Sequence, residues 1–240
     1  MMFIDELQTA AEKFNIALNA EQLKQFDTFY RLVVEWNHKI NLTAITEPSD
    51  FAVKHIIDSI SIWNDKKFHN VETLIDVGTG AGFPAIPLKI YRPHLKITLL
   101  DSLAKRINFL KVVGEELGFD DVDFLHSRAE DAARNPKLRE DFDLAVSRAV
   151  AKLNILAEYC LPFVKVGGYF AALKGSSVEE ELQESKAAVK ILGGVDVECI
   201  SITLPNDNER NLIYIKKVSK TAGKFPRKAG VPERKPLMGV

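Results

Sequence analysis

The sequence has little cysteine. Its two, Cys160 and Cys199, lie far apart among 240 residues, so neither a disulfide framework nor a paired-cysteine metal motif is available. A reducing, cytoplasmic setting is therefore expected. No apolar run approaches the ~18 residues of a membrane span. The opening Met1-Met-Phe-Ile-Asp-Glu-Leu7 carries acid where a secretory leader carries base, so neither a leader nor a membrane association is expected. Internal repeats and low-complexity tracts are absent as well.

Net charge is almost absent, at −1, but it conceals an asymmetry. From Lys216 onward the chain carries eight bases against Glu233 alone, a local charge of +7 on a remainder of −8. A basic end on an acidic body predicts contact with a polyanion, or else a solvated tail. With 46% hydrophobic and 27% charged residues, the composition is that of an ordinary globular chain whose length suits one α/β domain with an extension.

Residues 1–70 read as a helical extension. Leu23, Phe26, Tyr30, Val33 and Val34 recur at helical spacing behind Asn19 and Gln22, which have the form of a capping box. Ala52, Ile56, Ser59, Ile60 and Trp63 mark a second amphipathic helix, and the stretch Trp36–Thr43 between them predicts a structured turn. His55 and Asp58 stand one helical turn apart and are expected to form a buried hydrogen-bonded pair rather than a metal site.

From residue 71 the texture becomes strand–helix alternation. Apolar runs at 73–77, 97–100, 122–125, 144–147 and 169–173, the last after a turn at Gly167-Gly168, are separated by helical stretches at 84–91, 103–117, 150–161 and 178–192. Such alternation predicts a parallel sheet covered on both faces. Two further strand-like runs, 195–204 and 212–218, are joined without a helix and must be antiparallel. The expected fold is α/β: a Rossmann-like class I methyltransferase domain over 71–218 with a terminal antiparallel hairpin, the helical extension over 1–70, and a basic tail over 219–240.

The sharpest motif is Asp76-Val-Gly-Thr-Gly-Ala-Gly-Phe-Pro84, a glycine loop directly after a strand and before a helix. Dinucleotides bring a pyrophosphate, which disfavours a nearby anion. Here Asp76 stands two residues before Gly78, and the glycines are spaced Gly-x-Gly-x-Gly. Both features fit the sulfonium and ammonium groups of S-adenosylmethionine better than a dinucleotide. Asp101, 23 residues after Gly78 at the end of the second strand, is placed to accept from ribose hydroxyls. Ala129 and Glu130 follow the third strand, where adenine is expected. Arg148 follows the fourth and is aimed at substrate or cofactor. Arg106, Arg128, Arg148, Lys174 and the tail are candidates for holding phosphates, and Phe225 for stacking on a base or anchoring the tail.

Several short motifs in one order carry a resemblance over nearly the whole chain. They are Glu35-Trp-Asn37, Asn41-Leu-Thr43, Lys54-His-x-x-Asp-Ser59, the glycine loop, Asp101-Ser-x-x-Lys-Arg106, Arg128-Ala-Glu130, Ser147-Arg-Ala-Val-Ala151, Leu173-Lys-Gly175 and Pro226-Arg-Lys-x-Gly-x-Pro232. The chain resembles the bacterial 16S rRNA guanine-N7 methyltransferases, also called glucose-inhibited division protein B. The resemblance implies methyl transfer from S-adenosylmethionine to N7 of one guanine, at about position 527, in 16S rRNA. The partner would be that RNA, the small ribosomal subunit or its assembly intermediate. It also implies cofactor contacts at Gly78, Phe83, Ala129, Glu130 and Arg148; the residue reading adds Asp76, Gly80 and Asp101. Arg148, Arg128 and Lys174 are the substrate-side candidates, no metal is expected, and the protein is expected to be a monomer. A dehydrogenase, a methyltransferase for another RNA or a protein, and a non-catalytic RNA-binding protein are the competing readings.

Overall fold

The computed structural model describes residues 2–148, 151–176 and 178–238. The N-terminal part is helical: α1 (Phe3–Lys13), α2 (Ala20–Asn37), α3 (Pro48–Phe51), α4 (Asp58–Ser61) and α5 (Asp65–Phe68). The Asn19 side chain accepts from the Gln22 N–H and Gln22 returns a bond to Asn19, so the capping box starts α2 as its sequence dictates. The same Gln22 amide donates to the Ile90 and Tyr91 carbonyls, satisfying the end of a helix 68 residues away. The buried face of α2 is Leu23, Phe26, Phe29 and Val33. In the turn that follows, the Asn37 side chain accepts from the N–H groups of Leu42 and Thr43.

The second amphipathic helix is not regular. Between α3 and α4 the backbone widens into a π-helical turn, Ala52–Ile57. Such turns interrupt the α-helical ladder and are frequent at functional sites. This one carries His55.

The sheet has seven strands: β1 (Thr73–Val77), β2 (Lys96–Asp101), β3 (Val122–His126), β4 (Phe142–Ser147), β5 (Val164–Lys174), β6 (Gly194–Thr203) and β7 (Glu209–Lys217). Their order is β3-β2-β1-β4-β5-β7-β6, parallel through β5, with β7 antiparallel to both of its neighbours. Helices α6 (Ala85–Tyr91), α7 (Ala104–Glu116), α8 (Ala129–Ala132), α9 (Leu153–Cys160) and α10 (Glu179–Ile191) fill the crossovers. Alternate residues of each central strand serve opposite cores. Leu74, Leu144, Val146 and Tyr214 face the N-terminal helices, α6 and α7. Ile75, Ala145, Phe170 and Ile213 face α9 and α10. The Tyr214 hydroxyl donates to the Ile62 carbonyl and ties the helical extension to β7.

Two expectations are corrected. Gly167-Gly168 does not precede β5; it lies inside the strand. The pairing steps from Phe142↔Val164 to Leu144↔Tyr169, so β5 carries the extra residues as a bulge. The basic tail is not a free arm. Lys217 is fully buried, donating to the Leu161 carbonyl and facing Glu140. Phe225 is buried in the α9 core, so it anchors the tail rather than offering a stacking face. A last short helix, α11 (Val231–Arg234), lies near the end. Among the described residues no helix is long and apolar enough to cross a membrane.

The bulge predicts a mutational asymmetry. A Cβ on Gly168 would collide with the Asp143 carbonyl, whereas one on Gly175 would meet nothing within 4 Å. Thermal denaturation should show Gly168→Ala losing about 1–3 kcal/mol and Gly175→Ala remaining within about 0.5 kcal/mol of the parent.

Candidate active site

In an open α/β sheet, ligands bind outside the carboxyl ends of the strands, where the strand order reverses. Here that point lies between β1 and β4, and two clefts open along the edge.

The first has a volume of about 220 Å3 and is lined by Val77, Gly78, Asp101, Arg128, Ala129 and Glu130, with Tyr159 of α9 and Glu233 of α11 on the far side. The glycine loop shapes its floor. Gly78 and Gly80 have φ of +78° and +61°, and a Cβ on either would project into open space. Backbone therefore faces the cleft, where a ligand can approach it closely. The Gly78 and Thr79 N–H groups donate to the Leu100 carbonyl, joining the loop to β2. Asp101 fixes it further: one oxygen accepts from the Gly80 N–H at 2.9 Å and from Arg106 at 3.3 Å, the other from the Leu103 N–H at 2.9 Å. Arg106 is thus engaged with Asp101 rather than free.

Asp76 sits under this loop, with no exposure. Its Oδ2 accepts from Thr79 Oγ1 and the Ala85 N–H, while Oδ1 is buried without a partner. Burial pushes its carboxyl up to about 7, against the pull of those hydrogen bonds. A buried acid with a lone pair to spare fits a cationic ligand and not a phosphate. The glycine backbone and the Asp101 carboxylate fit a nucleoside. The residues present therefore suit S-adenosylmethionine.

The second cleft, about 560 Å3, is lined by Lys54, His55 and Asp58 from the helical extension, Arg148 after β4, Lys174 at the end of β5, Glu181 of α10 and Arg210 of β7. Its centre is Arg148, largely buried, whose guanidinium donates to the Lys54 carbonyl (3.1 Å), Asp58 Oδ2 (3.3 Å) and His55 Nδ1 (3.2 Å). Arg210 takes the other Asp58 oxygen at 3.1 Å. His55 and Asp58 therefore bond to Arg148, not to each other. A guanidinium can only donate, so His55 Nδ1 accepts, and the ring is neutral with its proton on Nε2, 2.7 Å from Thr43 Oγ1. Burial, then Arg148, holds the imidazole down to about 3. The ring stacks on Phe83 at 4.3 Å, and the Arg148 guanidinium covers Phe83 at 4.6 Å.

Of the residues singled out from sequence, Gly78, Asp101, Ala129, Glu130 and Arg128 line the first cleft, while Asp76 and Gly80 lie beneath it. Arg148 and Lys174 line the second, and Phe83 is packed beneath Arg148. The clefts adjoin: Ala151 lines the first, and its carbonyl accepts from Lys174 of the second. Sequence reading did not single out Arg210, Glu181, Tyr159 or Glu233 for these clefts. Only contacts across the fold reveal them, since Arg210 and Asp58 are 152 residues apart. Among the described residues, no group of three His, Cys, Asp or Glu side chains could hold a metal.

This strand order, with an acid-led glycine loop at the switch point, defines a class I S-adenosylmethionine-dependent methyltransferase. A solved structure of the S-adenosylmethionine-dependent methyltransferase SibL shares the fold, with a TM-score of 0.56 at 12% identity over 90% of this chain and 74% of that one. The family model for rRNA small subunit methyltransferase G matches residues 22–213, and the chain belongs to that family. The proteins named Ribosomal RNA small subunit methyltransferase G from Alkaliphilus metalliredigens and Bacillus pumilus are 50% and 48% identical to it. These matches cover 96% and 99% of this chain, and 97% and 100% of theirs.

The state of Asp76 predicts a pH dependence. Free protein holds this proton below about pH 7, and a cationic donor prefers the ionised carboxylate. Binding then releases the proton, so affinity rises with pH across that range. By calorimetry, the wild-type affinity for S-adenosylmethionine should gain several-fold on that of Asp76→Asn between about pH 6 and about pH 7.5. A constant ratio between the two proteins would contradict this.

Proposed function

We propose that the protein methylates N7 of a guanine in the 16S rRNA of the small ribosomal subunit. In this reading the first cleft holds the donor, through Gly78, Gly80, Asp101, Ala129 and Glu130 with Asp76 beneath. The second receives the base. Residues 71–218 carry most of the donor site, and 1–70 supply part of the acceptor cleft. The small-subunit acceptor follows from the relatives' name.

The observation that carries N7 is that every ionisable side chain lining the acceptor cleft is already engaged. Lys54 pairs with Asp50, Lys174 with Glu181, and Asp58 with two arginines, while His55 spends its lone pair on Arg148. Among the described residues every ionisable side chain lining this cleft already has a partner, and guanine N7 has no proton to give. Acceptors that must be deprotonated, or activated by a thiolate, need what this cleft does not offer. Cys160 is fully buried, and burial raises its thiol well above the ordinary value.

S-adenosylmethionine, when bound, supplies an electrophilic methyl on a positively charged sulfur. The chain's own residues orient and shield. The glycine turn lets the donor lie against backbone, and the Arg148 guanidinium, packed on Phe83, lines the acceptor cleft. Four cations against two carboxylates line the acceptor cleft, a surplus that suits RNA phosphates. N7 lies on the edge that A-form RNA hides in its deep, narrow groove, so the base must come from a loop or be turned out.

The test is methyl transfer from labelled donor to 16S rRNA and to isolated small subunits, with the product nucleoside identified by mass spectrometry. The expected product is 7-methylguanosine in 16S rRNA. Label in another nucleoside, or in protein, would overturn the reading.

A further inference from the structure

The described part of the tail is bound tightly to the body beside the donor cleft. Arg139 donates to the Phe225 and Thr221 carbonyls at 2.8 Å, and Arg134 to the Pro226 carbonyl at 2.5 Å. Arg227 then meets Glu158 of α9, a carboxylate with no exposure, in a two-pronged pair: Nε to Oε1 at 2.9 Å and Nη2 to Oε2 at 2.5 Å. The Arg227 N–H adds a bond to Oε1 at 2.8 Å. Three residues on, the Gly230 N–H donates to Glu130 Oε1 at 2.9 Å. The chain then enters α11, where the Tyr159 hydroxyl donates to Glu233 Oε1 at 3.3 Å. Glu130, Tyr159 and Glu233 all line the donor cleft.

A free polyanion-binding arm has no need of this arrangement. Burying a guanidinium–carboxylate pair is costly unless the geometry is good and the remaining valences are satisfied, and here both conditions are met. The segment is built to stay, and what it delivers to the cleft is a carboxylate. Glu130 lies at the nucleoside end and already gives one oxygen to the tail. Glu233 is exposed, accepts from Tyr159 alone among the described residues, and has acceptor capacity left.

We propose that the C-terminal tail is a third wall of the methyl-donor site. Glu233 accepts a hydrogen bond from the exocyclic amine of the donor's adenine, and Arg227 is a positioning residue that acts through Glu158. The proposal rests on the donor cleft being the S-adenosylmethionine site, and adds a specificity element to it. Because the docked tail brings Glu233 into the cleft, donor binding and tail docking favour each other, and the linkage is reciprocal.

The experiment uses the full chain and two probes: S-adenosylhomocysteine, and its deaminated inosyl counterpart, which presents an oxygen in place of the amine. Calorimetry should show that the wild type prefers the adenosyl probe. Glu233→Ala should lose about tenfold in adenosyl affinity, as expected for one charge-assisted hydrogen bond, with most of the preference gone. Because Glu233 is exposed, that variant keeps its fold. Arg227→Ala should weaken both probes, raise amide exchange across residues 225–237, and increase donor KM by more than it lowers kcat. Arg227→Lys should recover part of each effect. In the wild type, adding S-adenosylhomocysteine should slow exchange over the same residues. Wild-type affinity and preference in Glu233→Ala, or unchanged donor binding in an Arg227→Ala protein whose tail exchanges freely, would overturn the proposal. Failure of the wild type to bind either probe would overturn the donor reading, and this proposal with it.

Discussion

The site is organised around one buried cation. Arg148 leaves the end of β4 and enters a region with little water, where an unpaired guanidinium would be very costly. Its partners come from the helical extension: the Lys54 carbonyl, His55 Nδ1 and Asp58. Asp58 in turn holds Arg210 of β7, at the other end of the sequence. Helical extension, parallel core and terminal hairpin thus converge on one charge network. The π-helical turn at Ala52–Ile57 belongs to the same arrangement, because it carries His55 into the cluster and sets its ring against Phe83.

That network divides the labour along the sheet edge. On one side the glycine turn, Asp76 and Asp101 make a pocket of backbone and carboxylate, suited to a nucleoside carrying positive charge. On the other, cations exceed anions and each described ionisable side chain is already paired. A transfer in which the acceptor already bears a lone pair asks only for orientation and exclusion of water. A site whose acids and bases are all committed to one another is consistent with that economy. The tail lies beside that pocket, held by Arg227 on the buried Glu158.

Much of the fold was legible because its signals are local. The capping box at Asn19 and Gln22, the alternation of apolar runs with helical stretches, and the helix-free joint before β7 each depend on neighbouring residues. The glycine loop was legible for the same reason, since acid and turn lie within nine residues at the end of a strand. What escaped was non-local. Gly167-Gly168 reads as a turn by composition, and only pairing with β4 makes it a bulge. The tail reads as a free basic arm by charge, yet Lys217, Phe225 and Arg227 are held by Glu140, the α9 core and Glu158, all distant in sequence. His55 and Asp58 read as a pair because they share a helical face. The partner that separates them, Arg148, lies 90 or more residues away.

His55 is the neutral, committed acceptor for Arg148, so the second cleft has no imidazole free to take a proton. Nitrogen-15 NMR of the His55 ring, followed over a pH titration, tests it most directly. A single tautomer protonated on Nε2 is expected through the neutral range, with protonation only near the bottom of the titration, at about 3. A ring that titrates near the ordinary histidine value of about 6.5, or carries its proton on Nδ1, would contradict it. Either result would break the Arg148 cluster and restore to the cleft the base that this reading excludes.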